Sequence, residues 1–198
     1  MNLQEYEKVK DLGYLEYCDY LQEKYGKGRS NYMFKSWNYN PTVSRTGDGL
    51  VAHHKFEYCA IRLSEKEYAM RNPYEWQLAD NIVYCDYLEH LFLHILICEM
   101  PNKDTVEAVG IGGILKYIVP ELNDFYSGWQ TQQKWRANCH ELIKDDKDVY
   151  LTLIKRFKVV AKSYPGYYDH LLLTSLNESF NKWAKGKNAV IFYEIRRL

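Results

Sequence analysis

The chain has 198 residues, 46% of them hydrophobic and 16% aromatic, with Lys plus Arg and Asp plus Glu balanced at 26 each. Such a chain can bury a real core, as one domain or as a small domain with an appended one. Its charge balance gives no general attraction for polyanions, although a local basic patch suffices for nucleic acid.

Residues 3–25 place Leu3, Tyr6, Val9, Leu12, Leu15 and Leu21 at helical spacing among Glu and Lys, which predicts an N-terminal helix ending near Gly26 and Gly28. The N-terminus lacks the charged and then apolar regions of a secretory signal, so the cytoplasm is the expected compartment. Arg29 to Gly49, with Asn31, Asn38, Asn40, Pro41, Gly47 and Asp48, has the composition of loops and turns. Leu50 to Tyr58 reads as a strand carrying His53 and His54. Ser64 to Met70 predicts a short helix that Asn72-Pro73 breaks, and Ile82-Val83-Tyr84 is short and β-prone.

Asp86 with Glu89 three residues later is a capping-box pattern, predicting a helix from Tyr87 to about Glu99, before Met100-Pro101. The longest apolar stretch, Leu91 to Cys98, is interrupted by His94. It falls far short of the roughly 20 residues that span a bilayer, so no membrane span or membrane partner is expected. Gly110-Ile111-Gly112-Gly113 is followed by no Gly-Lys-Ser/Thr and reads as close backbone packing, not a phosphate loop. Helices follow over Trp135–Lys144, Asp148–Ser163 and His170–Lys185, and Ala189 to Ile195 is a β-prone end. The sum is an α+β protein, mainly helical. Its parts are an N-terminal helix and irregular connection over 1–48, a central ββα element over 49–100, and a mainly helical region over 101–198.

Five widely spaced cysteines without a Cys-x-x-Cys pair argue against a disulfide scaffold or a zinc ribbon. Free thiols packed as small hydrophobes are the expectation. A hydrolase built on Cys59 or Cys85 with a histidine is a rival that no local signature supports.

The histidines are more informative. His90 and His94, four apart on the predicted helix, point the same way, a spacing that suits two nitrogen ligands of one cation. They stand among Leu88, Leu91, Phe92, Leu93, Ile95, Leu96 and Ile97, where each imidazole needs a partner. A metal would satisfy both; carbonyl or carboxylate partners in a core are the other reading of the pair. His53 and His54, adjacent on a strand, face opposite ways and can serve different tasks.

His53-His54, then Asn81-Ile82-Val83, with eight residues between Asn81 and His90 and three between His90 and His94, resembles the His-Asn-His (HNH) endonuclease motif on its ββα-metal fold. It is most similar to the colicin-type DNases, whose metal is held by histidines alone. The resemblance covers Leu50 to Cys98, about a quarter of the chain. It implies a divalent metal on His53, His90 and His94, with His54 as the general base that activates water. Asn81 would bond across the loop joining the strands and keep His54 aimed. The implied reaction is phosphodiester hydrolysis leaving 5′ phosphates, on nucleic acid, double-stranded DNA by analogy, with a homodimer suited to double-strand cutting. The family's settings are restriction, phage and mobile elements.

Imidazole ligation favours zinc, nickel, cobalt or manganese over magnesium. Many members instead begin with Asp-His and use Asp and Asn for magnesium, which leaves entry of Asn81, or of a nearby acid such as Glu57 or Asp80, into the ligand set open here. The interval from His54 to Asn81 is long for a compact ββα loop, making Cys59 to Asp80 an insertion and a candidate DNA contact. Arg45, Lys55, Arg62, Lys66 and Arg71 lie near the motif and could neutralise phosphates. The Lys155, Arg156, Lys158, Lys162 run and the basic C-terminal end read equally as solvated faces. The rival reading of the histidines is a non-catalytic zinc site stabilising a protein that binds and inhibits a nucleic-acid enzyme, with its many tyrosines and tryptophans as interface.

Overall fold

The computed structural model describes residues 1–100, 109–164 and 188–198. In place of one helix over 3–25 it has two, α1 (Leu3–Val9) and α2 (Tyr14–Tyr25). Gly13 makes the break as the extended N-cap of α2, its N–H donating to Glu16 Oε2 at 2.8 Å. The apolar period crosses the break because both helices face one core, with Tyr6, Val9, Tyr14, Tyr17, Cys18 and Leu21 buried. After α2 the chain is irregular to Gly49, as expected, apart from 3-10 turns at Pro41–Val43 and Thr46–Asp48.

The strand expected over Leu50–Tyr58 is shorter, β1 (Val51–His54). A turn ends it: Glu57 N–H donates to the His54 carbonyl at 3.0 Å and Lys55 N–H to the Asn81 carbonyl at 2.9 Å. The helix expected over Ser64–Met70 contracts to α3 (Lys66–Ala69). The long connection is pinned by the buried side chains of Leu63, Ala69 and Gln77 and by 3-10 turns at Tyr74–Gln77 and Ala79–Asn81. It returns as β2 (Ile82–Cys85), antiparallel to β1 with His53 opposite Val83 and His54 opposite Ile82. A two-stranded sheet of this size is marginal alone. Packing of α2 and of the next helix against it holds it in place.

That helix, α4 (Tyr87–Glu99), has the predicted bounds. Its capping box is formed: Asp86 Oδ1 accepts from Glu89 N–H at 2.8 Å and Glu89 Oε2 from Asp86 N–H at 2.7 Å. With one residue, Asp86, between β2 and α4, the box sets the helix phase and hence where His90 and His94 point. Ten of the helix's residues are buried, the pattern of a helix enclosed on all sides. It packs on α8 (Lys147–Ala161), on α2 and on the segment after residue 109. Each buried Leu, Ile or Phe contributes roughly 1.5–3 kcal/mol of apolar transfer.

The glycine-rich segment packs tightly, as its sequence suggested. Gly110 adopts φ +82, and a Cβ there would lie 2.9 Å from both Cys98 Sγ and Ile97 Cγ2. A short α5 (Ile111–Gly113), a π-helical turn at Ile114–Ile118 and α6 (Val119–Tyr126) continue in one direction. The helices expected over Trp135–Lys144 and Asp148–Ser163 are α7 (Lys134–Glu141) and α8.

The helix expected over His170–Lys185 lies outside the described residues, as do Lys182, Lys185 and Lys187. The β-prone end is instead helical, α9 (Ala189–Arg197). Ile191 and Ile195, four apart, are both buried as the helix packs on α6 and α8, and this burial outweighs the strand preference of Val190 to Tyr193. The architecture is α+β, mainly helical, with one two-stranded antiparallel sheet among the described residues. None of their helices is long and apolar enough to cross a membrane.

Candidate functional site

β1 delivers His53 and His54 to opposite sides, and the first two turns of α4 bring His90 and His94 beside His53. One potential ligand atom from each of His53, His90 and His94 lies within 4.8 Å of the others, a set able to hold a metal ion. The rings meet edge to face, with centroids 5.3 Å apart for His53 and His90, 5.2 Å for His53 and His94, and 4.8 Å for His90 and His94.

The neighbours select the nitrogen that each ring offers. His94 Nδ1–H donates to the Gly110 carbonyl at 3.0 Å, since a carbonyl can only accept, which makes Nε2 the lone-pair nitrogen. His53 Nε2 lies 2.9 Å from the Tyr14 hydroxyl, which also lies 3.1 Å from the Lys55 carbonyl. With the hydroxyl proton donated to that carbonyl, His53 Nε2–H donates to the Tyr14 oxygen and Nδ1 keeps its lone pair. Buried His53 Nδ1 has no hydrogen-bond partner among the described residues. Metal-ligating imidazoles usually have their second nitrogen held by a carbonyl or other partner in this way.

Burial pushes the His53 imidazole down to about 3, against the opposing pull of Glu57, and holds His90 well below its usual range. These two rings are therefore neutral at pH 7, the state a metal needs.

His54 lies on the other face of β1, with its Nδ1 3.6 Å from the Glu57 carboxylate. Its ring packs against Tyr32, with centroids 4.3 Å apart, and Nε2 lies 3.1 Å from Gln77 Oε1. Gln77 Nε2 donates to the Leu63 carbonyl at 3.1 Å, which fixes which end of the amide faces His54. His54 Nε2–H is thus the donor and Nδ1 the basic nitrogen, buried and without a hydrogen-bond partner among the described residues.

Asn81 stands at the end of the loop that joins the two strands, where its own carbonyl accepts from Lys55 N–H at 2.9 Å. Its Nδ2 donates across the connecting loop to the Glu75 carbonyl at 2.8 Å and makes no hydrogen bond to His54. Gln77, in the same turn as Glu75, holds the ring.

Glu57 lies between the two halves of the site. Its Oε2 is 3.5 Å from His53 Nδ1 and 3.4 Å from His94 Nε2, and its Oε1 is 3.6 Å from His54 Nδ1. Burial alone would raise this carboxyl; the imidazoles around it outweigh that and hold it well below the usual carboxylate range. Asp80 is elsewhere, paired with Lys27 at 2.8 Å. With side-chain exposures of 0% for His53, 1% for His54 and 20% for Glu57, the cluster opens to solvent on the side of Glu57 and part-exposed His90.

Sequence reasoning missed Gln77 and Tyr14, which hold the two adjacent histidines and lie in no motif. Glu57 carried a signal, its spacing of three and four residues from the histidine pair. Of the basic residues near the motif, Arg45, Lys55 and Arg62 pair with Asp48, Asp19 and Glu65, leaving Lys66 and Arg71 without a carboxylate partner among the described residues. Of the two cysteines of the hydrolase alternative, Cys85 is buried and burial drives its thiol well above its usual range, whereas Cys59 is exposed. Comparison with family models, with curated proteins and with solved structures finds no match to the chain.

Proposed function

We propose that this protein is a divalent-metal-dependent nuclease of the His-Asn-His type, hydrolysing phosphodiester bonds of nucleic acid, with double-stranded DNA the substrate by analogy. In this reading β1, β2 and α4 are its ββα-metal element. The reading rests on one observation: the adjacent histidines diverge, His53 into a cluster of imidazoles and His54 onto Gln77 with Nδ1 as its basic atom.

His54 Nδ1 takes the proton of the attacking water, and Gln77 keeps the ring in the tautomer that makes this possible. Tyr14 and the Gly110 carbonyl aim His53 and His94. A cation held by His53, His90 and His94 would supply Lewis-acid stabilisation of the phosphoryl and leaving oxygens.

A second reading draws support from the burial of His53 and His54, 0% and 1% exposed. It is a non-catalytic zinc site in a protein that binds and inhibits a nucleic-acid enzyme. Cleavage of supercoiled plasmid by wild type and His54→Ala, after EDTA and after add-back of magnesium, manganese, nickel or zinc, separates the two. Metal-dependent nicking that disappears in folded His54→Ala is the expected result. A wild type that binds zinc and nicks with none of these metals would leave the second reading standing.

A further inference from the structure

We infer that Glu57 is a fourth protein ligand of this metal site, which would make it a three-imidazole, one-carboxylate centre instead of a histidine-only one. The inference rests on the metal-binding half of the preceding proposal and is independent of whether the site cleaves anything.

The hydrogen-bond inventory shows why Glu57 needs a cation. His94 has its N–H on Nδ1, donated to Gly110, so Nε2 turns a lone pair toward Glu57 Oε2. With the Tyr14 proton given to the Lys55 carbonyl, His53 carries its N–H on Nε2 and Nδ1 turns a lone pair toward the same oxygen. In these tautomers three acceptors converge, and a cation shared among them is what would draw them together.

The distances agree. A charge-assisted N–H···O⁻ bond would bring the atoms to about 2.7–2.9 Å, whereas Glu57 Oε2 is 3.5 Å and 3.4 Å from the two nitrogens. Ligands bonded at 2.0–2.1 Å around a tetrahedral ion are separated by about 3.3–3.4 Å. Glu57 therefore sits at ligand-to-ligand distance from His53 and His94; the group whose ligand atoms lie mutually within 4.8 Å is His53, His90 and His94, so Glu57 would close on it as an ion binds. The turn that ends β1 puts it there, because Glu57 N–H bonds back to the His54 carbonyl.

Four protein ligands also bear on metal choice. A tetrahedral ion such as zinc would be closed off from further ligands, while an ion that accepts six ligands would keep positions for oxygen atoms of a substrate.

The test measures metal binding with no nucleic acid present. Zn²⁺ affinity is read by competition with a chromophoric chelator, and the visible spectrum of the Co²⁺ form reports the ligand set, in wild type, Glu57→Gln, Glu57→Asp and His94→Ala. Loss of an outer-shell partner typically costs 10- to 100-fold in affinity. As a ligand, Glu57 replaced by Gln should cost at least about 100-fold, the upper end of that range, and change the Co²⁺ spectrum, with Glu57→Asp retaining part of both.

Wild-type affinity and spectrum in Glu57→Gln, with binding lost in His94→Ala, would overturn the assignment. So would a wild type that binds neither ion. Should Glu57→Gln fail to fold, carbon-13 NMR of wild type labelled at its glutamate carboxyls decides: Co²⁺ must strongly shift or broaden one of them, and no such change would overturn the assignment. Tight binding that depends on Glu57 in a protein that never nicks DNA would sustain this inference while removing the nuclease.

Discussion

Gln77 Oε1 lies 3.1 Å from His54 Nε2, and the same amide donates through Nε2 to the Leu63 carbonyl at 3.1 Å, so one buried side chain ties the histidine to the far side of the connecting loop. The Gln77→Ala variant should lose most nicking activity, because a His54 ring free to turn no longer presents Nδ1. The loss should approach the 10²–10⁴-fold that positioned proton transfer contributes. Asn81→Ala removes only the bond to the Glu75 carbonyl, one turn away from the ring. It should cost about 0.5–1.5 kcal/mol of stability and less activity than Gln77→Ala. Plasmid nicking and urea melts of both variants check the ranking; an inactive Asn81→Ala beside an active Gln77→Ala would refute it.

The two residues also mark what the sequence could and could not disclose. The capping box of Asp86 and Glu89 fixed α4 because its partners are three residues apart and the signal is local. The ligand spacing on that helix followed from the same local rule. Gln77 and Tyr14 reach their histidines across 23 and 39 positions, and nothing in the composition around either announces the contact. The break at Gly13 was hidden because two short helices facing one core preserve a single apolar period. The helix at Ala189–Arg197 was misread for a related reason: Val, Ile, Phe and Tyr in succession favour a strand until burial of Ile191 and Ile195 on neighbouring helices is counted.

Gly113 is the residue that lets the segment after α4 approach His94. A Cβ there would stand 2.5 Å from His94 Cε1 and 2.8 Å from Nδ1, too close for both to stay in place. In Gly113→Ala the ring should be pushed off the Gly110 carbonyl, with an overpacking cost of about 1–3 kcal/mol. Metal affinity should fall with it. Gly112→Ala, where a Cβ meets nothing within 4 Å, is the control and should change neither. Thermal melts and chelator competition on the pair report the difference.

Acid should destabilise the metal-free protein through this site. Burial lowers the folded-state pKa of His53 to about 3. Between that value and the unfolded one near ~6.5, the unfolded chain binds a proton that the folded chain does not. Stability is then fully present above ~6.5 and declines as pH falls toward 3, by up to roughly 1.4 kcal/mol per unit. Glu57, held low when folded, acts in the same direction below its ordinary range. Urea melts between pH 7 and 4 should show the decline and a shallower slope in His53→Asn. Identical slopes would show that His53 is not the group responsible.

Zinc should inhibit what manganese supports, if Glu57 completes the ligand set. Zn²⁺ binds nitrogen ligands more tightly than Mn²⁺ and prefers four-coordination in sites that supply four ligands. About one equivalent of Zn²⁺ added to Mn²⁺-loaded protein should therefore stop plasmid nicking, and a chelator followed by fresh Mn²⁺ should restore it. Undiminished nicking with Zn²⁺ demonstrably bound would count against the closed four-ligand arrangement.

Tyr14 should matter to the metal without touching it. Its hydroxyl lies 2.9 Å from His53 Nε2 and 3.1 Å from the Lys55 carbonyl, so Tyr14→Phe leaves a buried N–H and a carbonyl without this partner. The expected stability cost is about 1–3 kcal/mol. The effect on the metal is separate: with Nε2 unheld, His53 can change tautomer and turn its N–H inward, removing the lone pair that faces the cluster. That is an outer-shell loss, and metal affinity should drop about 10- to 100-fold, less than for Glu57→Gln. Burial keeps the phenol well above its ordinary pKa, so the wild-type contact should persist through mildly alkaline pH. Chelator competition on Tyr14→Phe and Glu57→Gln side by side provides the check: an equal loss in both would mean that Glu57 acts from the outer shell, as Tyr14 does.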